Sequence, residues 1–135
     1  MELPRIVLLL DFDDANSLVS GVLDLKGCRV YKSTTADDCL AILKRLEGKV
    51  DAILIKDELV VDGNFTLVAN VRKFAPEVMI IGLANKTDEK EKLSECGIDE
   101  LVLTPMSAEN LADKILMMLA RRELKRERKK STWHR

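Results

Sequence analysis

Five apolar runs punctuate the chain: Ile6–Leu10, Cys28–Tyr31, Ala52–Ile55, Val78–Leu83 and Leu101–Leu103. Three of them, IVLLL, AILI and VMIIGL, are continuous rather than alternating. A strand reads this way when both its faces are buried, as in a parallel sheet covered by helices. The second run, CRVYKS, alternates better and suits an edge strand.

Helical spacing fills the gaps. Leu18, Val22 and Leu25 recur at i, i+4, i+7 in residues 16–26. Thr34 or Thr35 can cap a helix that carries Ala36, Cys39, Leu40, Leu43 and Leu46 on one face. Residues 64–74 offer Leu67, Val68, Val71 and Phe74. Residues 88–96 offer only Leu93 and Cys96, which predicts a solvated, loosely packed helix. The last helix starts after Ser107, with Ala108, Leu111, Ala112, Ile115, Met118 and Leu119 inward. Gly27, Gly48 and Gly97 fall where helices must stop, and Pro76 precedes the fourth run. Strand and helix thus alternate five times. The predicted fold is α/β: a three-layer sandwich with right-handed crossovers, in one domain over residues 1–120.

Composition narrows the function classes. With 135 residues the chain can bury a core without staples. Apolar residues at 47% and charged residues at 33% predict a soluble globular protein. Aromatics, at 4%, are too few for a base-stacking surface. Cys28, Cys39 and Cys96 form no C-x-x-C pair and read as reduced thiols. The single histidine, His134, leaves no Cys/His zinc cluster. The first apolar run is too short for a signal-peptide core or a membrane span, so a cytoplasmic protein is expected. The net charge of −1 hides an asymmetry. Residues 121–135 hold eight Lys/Arg and two Glu, a net of +6, against −7 for residues 1–120.

Three segments carry a family likeness: VDAILI (Val50–Ile55), the Asp62–Gly63 pair, and GIDELVLTP (Gly97–Pro105). In this order they resemble the receiver domain of two-component response regulators, over about residues 5–120. The resemblance implies a flavodoxin-like fold with sheet order 2-1-3-4-5. It also implies a place in signalling or a phosphorelay, and a phosphorylation pocket. Such receivers phosphorylate an aspartate ending the third strand. An acidic pair after the first strand holds Mg²⁺. A Thr or Ser ending the fourth strand and a Lys ending the fifth contact the phosphoryl oxygens. Metal and lysine neutralise charge on the transferred group.

Those positions are altered here. The acceptor position falls on Lys56, the hydroxyl position on Ala84 and the lysine position on Thr104. The acidic pair maps to Leu10–Asp11 or Asp11–Phe12, which leaves Asp11, with Asp13 and Asp14 nearby. An ammonium cannot become an acyl phosphate. The expectation is an atypical receiver without aspartyl phosphorylation, without cofactor and without catalysis.

Lys56 has two readings. Its ammonium can sit near Asp11 in place of a metal, relieving repulsion between carboxylates. Alternatively its stem lies on the sheet and its head reaches water. Asp57 is the rival acceptor, and under that alternative Mg²⁺ would be needed. A one-residue step turns a strand side chain to the other face, so Asp57 reaches the pocket only if the strand ends early or bulges. Asp13, Asp14 and Asn16 can be metal ligands, but capping of the first helix suffices to explain them.

A silent pocket shifts attention to the surfaces. Met117, Ala120 and Leu124 form a second narrow apolar stripe on the last helix, opposite its core stripe. Receivers signal through the fourth helix, fifth strand and fifth helix, so Leu101, Val102 and Met106 join these three as a predicted face for a partner protein or a weak homodimer. The tail residues Arg121, Arg122, Lys125, Arg126, Arg128, Lys129 and Lys130 are expected to continue the helix for a turn or two, losing helical support beyond Lys130. An anionic partner, nucleic acid included, would fit them, yet the chain carries no DNA- or RNA-recognition motif.

Overall fold

The structure, a computed structural model, describes residues 3–9, 14–56, 65–84, 97–103 and 106–133. Five parallel strands are found: β1 (Arg5–Leu9), β2 (Arg29–Ser33), β3 (Ala52–Lys56), β4 (Met79–Ala84) and β5 (Glu100–Leu103). They form one sheet in the order β2-β1-β3-β4-β5, as the apolar runs and the resemblance led one to expect. The helices among the described residues are α1 (Asp14–Leu25), α2 (Ala36–Arg45), α3 (Phe65–Phe74) and α4 (Ala108–Trp133). The helix expected over 88–96 lies outside the described residues.

Alternation along the buried strands splits the core in two. Val7, Leu9, Ile53, Ile55 and Ile80 face Cys39 and Leu43 of α2 and Leu67, Val68 and Val71 of α3. Ile6, Leu8, Ala52, Leu54, Met79 and Ile81 face Val19 and Leu23 of α1 and Leu111, Ala112 and Ile115 of α4. Both faces are buried, which is why β1, β3 and β4 read as unbroken apolar runs. β2 is the edge, and its pattern is the most polar of the first four strands.

Local chemistry sets the boundaries. Thr35 caps α2: its Oγ1 accepts from the Asp38 N–H at 3.1 Å. Asp37 and Asp38 then occupy the positive end of the helix, and Lys44 and Arg45 the negative end. Gly48 takes φ +71° in the turn before β3, packed against the carbonyl of Phe74.

Two expectations need correction. Among the described side chains of α1 the buried apolar positions are Val19 and Leu23, whereas Leu18 and Leu25 are 62% and 88% exposed. Apolar residues at 18, 19, 22, 23 and 25 fit two overlapping stripes, and periodicity alone could not choose between them. The chain leaves the helix through Gly27 with Cys28 N–H bonded to the Leu23 carbonyl, and Leu23 and Cys28 enter one core. The second correction is to α4, which runs unbroken through Trp133. Its nucleus is paid for by core packing, and Arg, Lys and Glu then propagate helix at low cost.

Candidate functional site: the carboxyl edge of the sheet and the outer helix layer

In an open parallel sheet, ligands and reactions gather at the carboxyl ends of the strands, where strand order reverses. Here the reversal lies between β1 and β3. β3 pairs with β4 without a break from Ala52↔Met79 to Lys56↔Leu83, so no bulge shifts the register before the strand ends. Lys56 is therefore the last strand residue, half-buried, at the reversal point. Ala84 ends β4 and is almost fully buried. Leu103 ends β5. Asp11, Asp13, Asp57 and Thr104 lie outside the described residues; Asp14 opens α1.

Of the described pocket positions, an ammonium and a methyl group supply no ligand for a divalent cation. No cluster of three or more His, Cys, Asp or Glu able to hold a metal occurs among the described residues. On the β2 side of this edge, the buried Ser33 hydroxyl donates to the Leu8 carbonyl at 2.7 Å. That bond fixes the end of β2 to β1. The sequence signal for it was a small hydroxyl closing a partly exposed edge strand.

The opposite edge is held by a clamp that spacing did not reveal. Arg72, from α3, donates through Nη1 to the Val78 carbonyl at 2.6 Å and through Nη2 to the Gly97 carbonyl at 3.3 Å. The same Nη2 lies 2.5 Å from Asp99 Oδ2, which also accepts the Ile80 N–H at 2.8 Å. Arg122 of α4 donates to the Glu77 carbonyl, and Arg126 lies 3.8 Å from the Glu77 carboxylate. Burial pushes the Arg122 guanidinium below its usual range. Arg122, expected to present charge to an anionic partner, is instead engaged with the body of its own domain.

The predicted contact face is divided. Val102 has no exposed surface and belongs to the core, so it cannot meet a partner; alternation turns Leu103 outward instead. Leu101 and Met106 are half-buried, one against each core. Met117 and Leu124 are 51% and 54% exposed, and Ala120 between them is exposed too. Beside them runs α1, joined to α4 by Lys26 and Asp113 at 2.8 Å. The Asp113 hydrogen bond raises the Lys26 pKa. Leu18 and Leu25 of α1 were missed as surface residues because they were assigned to the core.

No protein-family model matches the chain, and no curated protein matches it in sequence. Solved structures do. A response regulator receiver domain protein of Methanospirillum hungatei superposes with a TM-score of 0.75 at 20% identity, over 92% of this chain and 99% of that one. The chemotaxis response regulator CheY4 of Vibrio cholerae gives 0.72 at 20% identity, over 87% and 99%. A streptococcal redox sensor, from a family evolved from two-component response regulators, gives 0.78 at 20% identity, over 93% of this chain and 55% of that one. The chain thus has the CheY-like receiver fold. No helix among the described residues is long and apolar enough to cross a membrane.

Proposed function

We propose that this receiver-fold chain is a phosphorylation-independent signalling module, which regulates a partner protein by contact and catalyses nothing itself. The observation that carries the reading is the unbroken register of β3 through Lys56. Lys56 thus ends the strand, and the likeness to receivers takes that position as the one an acceptor carboxylate would hold. Asp57, the rival acceptor, follows Lys56 in sequence and lies outside the described residues. Ala84 supports the same reading, since a buried methyl cannot hydrogen-bond a phosphoryl oxygen. The free thiols of Cys28 and Cys39 suit a reducing, cytoplasmic setting.

The test is incubation of the intact chain with acetyl phosphate and Mg²⁺, read by intact mass. No phosphoryl adduct is expected. An adduct that disappears in Asp57→Ala would overturn the reading and make the chain a conventional phosphoacceptor with Mg²⁺ as its cofactor.

A further inference from the structure

We propose that the outward face of the α1–α4 layer is a two-fold, antiparallel docking site for a second copy of this chain. The inference rests on the contact-module reading and names the partner of one contact.

Four of the six large apolar side chains exposed among the described residues lie on these two helices: Leu18 and Leu25 on α1, Met117 and Leu124 on α4. Each pair is seven residues apart, two helical turns or roughly 10.5 Å. The helices pack side by side, tied by Lys26 and Asp113. They also run in the same direction. α1 connects two parallel strands and so returns from the carboxyl edge of the sheet to the amino edge. α4 leaves the end of β5 and reaches Glu77, just ahead of β4, with Arg122. Between the apolar pairs the surface is low: a Cβ added at Gly21 would meet nothing within 4 Å, and position 120 is alanine. Two such faces can approach closely.

Charge chooses the occupant and the orientation. α4 is one continuous helix through Trp133, and Arg122 pins it to the Glu77 carbonyl. Beyond the contacts of Arg122 and Arg126 with Glu77, the helix runs on past its own body. Arg121 and Lys125 remain exposed for another molecule, and the acidic complement to them is the −7 body of another copy. A parallel pairing would lay two basic extensions side by side. An antiparallel pairing sets Arg121 and Lys125 of each copy against the end of the partner layer that carries Glu109 and Asp113, all four being exposed. Such an interface is isologous and closes at two copies. The two-fold axis, perpendicular to the helices, stacks α1 on α1 and α4 on α4, so Leu18 faces Leu25 of the partner subunit and Met117 faces Leu124 of the partner subunit.

The experiment is sedimentation velocity of the full chain from about 5 to about 300 µM, at low and high salt, over the range where weak dimers dissociate. A reversible monomer–dimer equilibrium is expected, weakened by salt. Leu25→Glu and Met117→Glu, both at exposed positions, should each raise the dissociation constant about tenfold or more while the circular dichroism and melting temperature stay unchanged. Arg121→Glu with Lys125→Glu should also weaken the dimer, and adding Glu109→Lys should restore it. A chain that stays monomeric throughout overturns the inference, as does a dimer indifferent to both Leu25→Glu and Met117→Glu. Capture by heparin without dimerisation would assign the extension to a polyanion and would equally overturn it. The phosphodonor experiment reports the contact-module reading separately, so either can fail alone.

Discussion

An ammonium at the end of a central strand changes what nearby carboxylates can do. On the proposed reading, a carboxylate at the position of Lys56 would join Asp11 in an acidic cluster that only a cation could hold together. Lys56→Asp should therefore lower stability at low salt, recover with added salt, and gain a melting temperature that rises with Mg²⁺; the wild type should not respond to Mg²⁺. Differential scanning fluorimetry over a Mg²⁺ series checks this, and a mutant as indifferent as wild type would place Lys56 outside the pocket. Cys39 offers a second residue-level test. Burial pushes its thiol up to about 11, against a smaller opposing pull from the Ser33 hydroxyl. The folded state keeps this proton where the unfolded chain, with a thiol near 9, has lost it. Stability from this group is thus complete below about pH 9 and declines by about 2–3 kcal/mol as pH rises through 11. Urea melts at about pH 8 and pH 10.5 should show the loss, and Cys39→Val should flatten it. The place of Lys56 at the strand end was legible in the sequence because the apolar run AILI leads directly into it. Whether the strand ran to it without a bulge was not, since that depends on pairing with β4.

At the level of elements, strands were easier to read than helix faces. A strand buried on both sides needs only apolar residues in a run. A helix must in addition choose a rotation, and α1 had two apolar stripes to choose from. The choice came from packing against β1 and Cys28, contacts that no local window contains. Connections hold comparable hidden information. Gly48 combines φ +71° with backbone contact to the Phe74 carbonyl, while Gly27, at φ +91°, has open space around it. Gly27→Ala should cost about 1 kcal/mol, the strain of a side chain in the left-handed region. Gly48→Ala adds displacement of α3's last carbonyl and should cost about 2–4 kcal/mol. Chemical denaturation of the two variants measures the difference, and equal losses would show that the turn yields freely. The Arg72–Asp99 clamp makes a matching prediction. Asp99→Ala should cost about 1–2 kcal/mol, chiefly from the stranded Ile80 N–H, because the exposed ion pair itself contributes little. Asp99→Asn keeps an acceptor and should lose less than half as much. Neither clamp residue stood out in the sequence, because Arg72 and Asp99 are 27 positions apart.

The whole molecule joins a closed acidic body to a long basic helix, and the join is the least legible part of the sequence. Composition showed the charge asymmetry plainly. It suggested an end near Lys130 because the closing residues lack helix formers, and it missed that Arg122 ties the helix to the loop ahead of β4. The body and the extension should consequently differ in how much they matter to folding. Among the described contacts beyond Arg122, only Arg126 reaches the body, at 3.8 Å, with Arg126 partly and Glu77 largely exposed. A pair of that kind contributes about 0–1 kcal/mol. Truncation after Arg126 should thus change the unfolding free energy by less than about 0.5 kcal/mol while removing helical ellipticity from residues 127–133. Arg122→Ala is a smaller change in sequence but should cost more, about 1–2 kcal/mol, because it strips a charged donor from the Glu77 carbonyl and uncovers the surface beneath its stem. Calorimetry together with far-ultraviolet circular dichroism distinguishes the two. If truncation instead lowered stability by several kcal/mol, the extension would be part of the core fold, and its basic residues would not be available for contact with another molecule.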